Sequence, residues 1–382
     1  MDKKNYLAQV AMNIRRHRAI KGLRQDEVAT AAGLSRQGYL SIENAKAEPK
    51  TGNLQKIADA LNIKLFDLFE EQPTFSSLRF RSKKTMTAKD RNIREQTLFE
   101  FRKWLDNYKF LEARFNEYPQ FKLADLIGGK SSPKEMAEKA RAILNLKENE
   151  IISDICGLME SAGLKGWHSK AKSQAFFGFS LSKDDGGPAI GVNVSEGISV
   201  ERKIFTVAHE LGHILLHPAS YRAQDVEESE SDEHEADSFA GYFLMPDKAF
   251  VDEWNKDMGF SFVDRVLRFK RRFKVSYRTV LVRLAEKSGQ AVQDIFIRFS
   301  VEYKKAYKHD LKDHFEPESV SSGFKGEPQS ALNNLDFMEE RFKRLVRKAF
   351  EEELISTGKA AEMLGLKLDE MRGLGISWRE TP

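Results

Sequence analysis

His209 and His213 stand four residues apart with Glu210 beside the first, in the run Phe205-Thr206-Val207-Ala208-His209-Glu210-Leu211-Gly212-His213. On a helix the two imidazoles lie on one face, one turn apart. Two ring nitrogens at that spacing can hold one tetrahedral metal ion. Glu210 is turned about 100 degrees round the same helix, beside the open coordination position. A carboxylate there can take a proton from an attacking water and later pass it to a leaving amine. The chemistry expected is metal-assisted hydrolysis with Glu210 as the catalytic base. Imidazole and carboxylate donors suit zinc, Zn2+, best.

A third ligand is needed. His217 is eight residues beyond His209, a rise of about 12 Å along a helix. That is too far for a compact tetrahedron, so His217 is expected to support a ligand or end the helix before Pro218. Between Asp225 and Asp237 there are eight acids and no lysine or arginine. The second half of this stretch has a helical apolar pattern, with Ala236, Phe239, Ala240, Phe243 and Leu244 at spacings of three and four. Glu233 and Asp237 then share a face. Glu233 is expected as the third metal ligand and Asp237 as the carboxylate that buttresses a histidine, the gluzincin arrangement. Glu235 is the rival ligand, on a different face. The oxyanion needs a donor, and Tyr221, His217 and His234 are the candidates.

The elements that must position these residues are legible nearby. Ile204, Val207, Ala208, Leu211 and Leu215 give the metal-bearing helix a buried side. Gly212 leaves room for another element or for substrate. Strands are expected at Ala175–Leu181 and Ala189–Val194, separated by the turn-rich Lys183-Asp184-Asp185-Gly186-Gly187-Pro188. Phe205–His217, Glu233–Ala240 (EHEADSFA) and Phe243–Pro246 (FLMP) together resemble the ImmA/IrrE family of metallopeptidases. The resemblance runs over about 150 to 300 and takes in VSYRTVLVRL at 275–284. It implies a zinc endopeptidase that cuts a regulatory protein, with activity that can be conditional.

A second set of chemistry-bearing residues lies near the start. Gln25 opens a helix that ends at Ala32-Gly33-Leu34, and Ser35 caps the next, Arg36–Glu43. Gly33 suits the tight turn between them. Leu34, Leu40 and Ile42 are expected inside, and Arg36, Gln37 and Tyr39 outside. An exposed helix N-terminus with such side chains can enter the major groove, where Gln37 reads adenine and Arg36 reads guanine or a phosphate. Gln25 can clamp the DNA backbone. The DNA-contact candidates are therefore Gln25, Ser35, Arg36, Gln37 and Tyr39. The pattern LRQDEVA, AGLSRQGYLSIEN, LQKIADALNI resembles the Cro/CI-type (XRE) helix-turn-helix family. Ala45 stands where that family often has glycine, and Asn44 is expected to take the strained backbone angle.

The chain has 382 residues, 41% apolar and 31% charged, with a formal net charge of +4. That balance excludes a polybasic nucleic-acid coat, so any DNA contact is local. Its lone cysteine, Cys156, excludes an intrachain disulfide and a Cys-rich zinc site, and is expected to be a buried small hydrophobe. No run is apolar enough for a membrane span. A cytoplasmic protein with no membrane partner is expected. The expected fold class is α+β, mainly α with a small β-sheet. The expected domains are an all-α helix-turn-helix at 5–72, a basic linker at 73–95, a gluzincin-like zinc peptidase domain at 96–315 with a helical lead-in at 96–160, and a helical C-terminal segment at 332–382. In the linker seven lysines and arginines fall between Arg79 and Arg94 with a single acid, Asp90. They are expected to add phosphate contacts.

The expected function is a DNA-binding transcriptional regulator with a zinc-dependent endopeptidase domain, controlling stress, mobile-element or toxin–antitoxin and defence genes. Its expected partners are a double-stranded DNA operator and a protein substrate (a repressor, toxin or antitoxin), and a homodimer is allowed. The alternative is a regulator or antitoxin whose peptidase-like domain senses a metal, ligand or partner without proteolysis.

Overall fold

The computed structural model describes residues 3–70, 75–80, 87–171, 176–221, 229–308, 310–311, 316–317 and 332–380. The chain divides into two compact units, 1–74 with 83–103 and 75–82 with 104–382.

The first unit is helical. Its N-terminal part consists of α1 (Lys3–Ile20), α2 (Gln25–Ala31), α3 (Arg36–Glu43), α4 (Thr51–Ala60) and a 3-10 turn at Leu65–Phe69. Val10, Ile14, Val28, Ile42, Leu54, Ile57 and Leu68 form its core. The turn between α2 and α3 follows the local chemistry. Gly33 has φ +62°, a left-handed conformation that costs glycine least. Ser35 Oγ accepts a hydrogen bond from the Gly38 N–H at 3.1 Å and caps α3.

Two residues of α3 and its end depart from the sequence expectation. Tyr39 is not outside; its ring is fully buried. On so short a helix Tyr39 and Ile42 share a face at spacing three, and the larger apolar body goes into the core, leaving Leu40 half-buried. At the end of α3 the left-handed angle falls on Ala45, φ +54°, and not on Asn44.

Of the expected basic linker, residues 73–74 and 81–86 lie outside the described residues. The rest divides between a strand, β1 (Leu78–Phe80), in the second unit and the start of α5 (Ala88–Phe115). α5 continues into the second unit at Trp104.

The second unit then runs α6 (Pro133–Ile143), α7 (Ile155–Ser161), β2 (Lys165–Ser169), β3 (Gly178–Leu181), β4 (Ala189–Asn193), α8 (Val200–Leu216) and α9 (Glu230–Leu244). After these come α10 (Asp247–Lys256), α11 (Phe262–Phe273), α12 (Tyr277–Ser288) and α13 (Val292–Tyr307), then α14 (Arg341–Glu351), α15 (Thr357–Leu364) and α16 (Leu368–Glu380). The fold is α+β, with one four-stranded sheet of order β1-β3-β4-β2 among the described residues. β3 is antiparallel to β1 and β4, while β2 runs parallel to β4. The two expected strands are β3 and β4, the first starting at Gly178; residues 172–175 lie outside the described set. β2 had no clear sequence signal.

β3 and β4 are buried along their whole length, as central strands covered on both faces are. α8 lies close on β3: a Cβ at Gly178 would come within 2.4 Å of Thr206 Cγ2. The same holds between α8 and α9, where a Cβ at Gly212 would meet Phe239 Cδ1 at 3.0 Å. Gly212 thus admits another element. Leu211, Leu215, Phe239, Phe243 and Phe269 belong to the core beneath, and so does Cys156, buried as expected.

The C-terminal helices pack onto this unit. Arg341 donates to Tyr108 Oη and Glu112 Oε1, each at 2.9 Å. The Glu160 carboxylate accepts from the N–H groups of Glu340 and Arg341 at 3.0–3.2 Å, satisfying the N-terminus of α14. No helix among the described residues is long and apolar enough to cross a membrane.

Candidate metal centre

α8 begins at a serine cap, where Ser199 Oγ accepts from the Arg202 N–H at 3.2 Å. From there Ile204, Val207, Ala208, Leu211 and Leu215 are buried, as their spacing requires. The helix is covered so fully that His209, Glu210 and His213 are themselves at most 3% exposed. α9 is capped by Ser229 and carries Glu233 and Asp237 against α8.

The side chains converge on one point. His209 Nε2 and His213 Nε2 are 2.9 Å apart. Glu233 Oε2 is 3.6 Å from the first and Glu233 Oε1 3.4 Å from the second. One donor atom from each of the three residues lies within 4.8 Å of the others. The donor set suits a metal. Asp237 Oδ1 is 2.7 Å from His209 Nδ1. A carboxylate there holds a proton on Nδ1 and leaves the Nε2 lone pair for a metal. His213 Nδ1 is 2.9 Å from His217 Nδ1, and His217 Nε2 is 3.1 Å from Glu235 Oε2. Burial pushes the His213 imidazole down to about 2, so it is a neutral donor at ordinary pH. Two imidazoles and a carboxylate match the His2Glu set of zinc enzymes.

Glu235, the rival ligand, is thus turned to His217, the C-terminal cap of α8. His234 is exposed. Tyr221 is 3% exposed, with its hydroxyl 2.7 Å from Ser180 Oγ. Ser180 in turn donates to Glu210 Oε2 at 2.5 Å. Burial pushes the Glu210 carboxyl up, against the opposing pull of His209, Arg79 and the Ser180 hydrogen bond.

Two residues of this cluster carry little sign of it in the sequence. Ser180 is the one hydroxyl among Phe179, Ser180 and Leu181, and a polar residue in a fully buried strand was the available signal. By composition Arg79 belongs to the basic linker expected to contact phosphate. Instead its guanidinium pairs with Glu233 Oε1, and its side chain is 8% exposed. Burial works against the Arg79 charge, but Glu210 and Glu233 outweigh it and raise its pKa.

In the first unit Arg36 and Gln37 are exposed on α3. Ser35 is exposed too, with its hydroxyl in the cap. The half-buried Gln25 donates its amide to Glu43. Glu43 also accepts from Arg18 Nε at 2.6 Å and from Tyr39 Oη at 3.0 Å. Of the five DNA-contact candidates, then, Ser35, Arg36 and Gln37 form one exposed turn, Gln25 is partly engaged beside it, and Tyr39 is inside.

Residues 170–285 match the family model for the IrrE N-terminal-like domain. Residues 14–68 match the helix-turn-helix family model. No curated protein matches the chain. The chain therefore joins a helix-turn-helix domain of the XRE type to a domain of the ImmA/IrrE metallopeptidase type.

Proposed function

We propose that this fusion is a transcriptional regulator that binds a double-stranded DNA operator through α2 and α3 and carries a zinc-dependent endopeptidase in its second unit. The reading rests on one observation above all, the convergence of His209, His213 and Glu233 donor atoms within 4.8 Å beside a buried carboxylate, Glu210. His209, His213 and Glu233 would hold Zn2+. When bound, the ion supplies a Lewis acid for the scissile carbonyl. Glu210 takes the proton of the attacking water and delivers it to the leaving amine. Ser180, itself tied to Tyr221, keeps the Glu210 carboxylate in one orientation. Asp237 and His217 hold the two imidazole rings. The substrate would be a regulatory protein (a repressor, toxin or antitoxin), and cutting it would change expression of stress, mobile-element or defence genes.

Purified protein is expected to carry stoichiometric zinc, and His213→Ala to lose it. Glu210→Gln is expected to keep the metal and lose cleavage of the products of neighbouring genes by about a thousandfold or more. Cleavage that survives in Glu210→Gln would remove the base from the mechanism, and wild-type protein without metal would remove the enzyme.

A further inference from the structure

We infer that the segment 75–80 is the resting occupant of the edge of β3 on which a substrate peptide pairs, with Arg79 as its anchor; this rests on the peptidase reading above. An extended peptide binds a sheet by adding a strand to a free edge. β3 carries Ser180, which touches the base Glu210. One side of β3 is taken by β4 and the other by β1. β1 is three residues long and comes from a segment with the composition of a linker. Its register is Leu78 with Leu181, Arg79 with Ser180 and Phe80 with Phe179. Residues opposite each other in a sheet point to the same face, so Arg79 follows Ser180 toward α8 and α9. There its guanidinium pairs with Glu233, the third candidate ligand. Arg79 Nη1 is buried and has no hydrogen-bond partner among the described residues.

The strand is tied down from one end. The Asp185 carboxylate accepts from the Ser76 N–H and hydroxyl at 2.8 and 3.0 Å, and from the Ser77 N–H and hydroxyl at 2.7 and 2.8 Å. The Ser182 N–H donates to the Ser77 carbonyl at 3.1 Å. A tethered strand competes at an effective concentration in the millimolar range, so a separate peptide pairs with β3 only when the segment leaves. The site so described takes an extended peptide with an arginine at the position opposite Ser180. The arginine is drawn by the acids Glu210 and Glu233, which also makes the linker a blocking strand while it stays.

The test uses the full chain and a fluorescent peptide of residues 75–82, Phe-Ser-Ser-Leu-Arg-Phe-Arg-Ser. Asp185→Ala removes the tie without touching the metal-binding residues. It is expected to speed hydrogen exchange at the Ser182 amide and to bind the peptide tighter than wild type, each by about tenfold or more. The same peptide with alanine for the first arginine is expected to bind about tenfold more weakly. Arg79→Glu, which repels the segment from Glu210 and Glu233, is the second variant and is expected to behave likewise. Equal exchange and equal peptide affinity in wild type and both variants would overturn the inference. Neither readout needs cleavage. A tight peptide–Asp185→Ala complex in a protein that cuts nothing supports the strand site and tells against the peptidase. Glu210-dependent cleavage with unchanged peptide binding does the reverse.

Discussion

Glu210 is held by a chain of hydroxyls, Ser180 Oγ at 2.5 Å and Tyr221 Oη a further 2.7 Å on. Neither hydroxyl is a candidate ligand. Ser180→Ala is therefore expected to lower cleavage by about tenfold while zinc affinity stays as in wild type, because only the orientation of the base is lost. Loss of zinc in that variant would show Ser180 to be structural. Asp237 makes the opposite prediction. Its carboxylate sits 2.7 Å from His209 Nδ1, so Asp237→Asn should weaken zinc binding by about 10- to 100-fold, read by competition with a chelating dye. The two histidines, Glu210, Glu233 and Asp237 were legible because helical periodicity alone aligns them within α8 and within α9. Arg79 was not, because a run of seven basic residues reads as one solvated stretch. Nothing local separates the arginine that turns inward, and β1 is too short for strand alternation to register.

At the scale of elements, a short helix is the hardest to orient from its sequence. α3 has only eight residues, and an aromatic with a polar tip satisfies either face of so short a helix. Burial decides the matter, since Tyr39 fills the core while its hydroxyl meets Glu43. Tyr39→Ala is expected to destabilise the first unit by about 3–5 kcal/mol. Arg36→Ala and Gln37→Ala, on the exposed turn, should weaken operator binding and leave its melting unchanged. If instead these two melted the unit and Tyr39→Ala did not, the face assignment would be reversed. β2 was missed because Lys165-Gly166-Trp167-His168-Ser169 alternates poorly and gains its order from parallel pairing with β4. The start of α14 carries a further pH-sensitive cost. Burial, helped by Glu160 and Glu340 and opposed by Lys343, pushes the Glu339 carboxyl up to about 7. Its folded value lies above the unfolded one, so the folded state holds the extra proton between roughly pH 4.5 and 7. Stability from this group is present below that window and lost as pH rises through it. Glu339→Gln is expected to match wild type near pH 4.5 and to be more stable at pH 8, by a margin on the order of 1–2 kcal/mol. A constant difference across pH would exclude the carboxyl as its source.

For the whole molecule, the sequence shows which domain types are joined more readily than where the structural division falls. The helix-turn-helix and metal-site patterns each lie within one unit, but the expected linker does not behave as one segment. Of its described residues, 75–80 join the second unit and 87–95 belong to the first. Each unit keeps its own core, one around Tyr39 and Ile57 and the other around Leu211 and Phe239. A ligand stabilises the state that binds it by mass action. Zinc held by His209, His213 and Glu233 should therefore raise the melting of the second unit alone. At about a thousandfold excess over its Kd the gain is about 4 kcal/mol, on the order of 10 °C for a unit of this size. Operator DNA should raise the first unit alone. Calorimetry of the full chain with chelator, with zinc and with DNA separates these effects. Chelation that lowers the transition of the first unit as much as that of the second would show that the two units unfold as one.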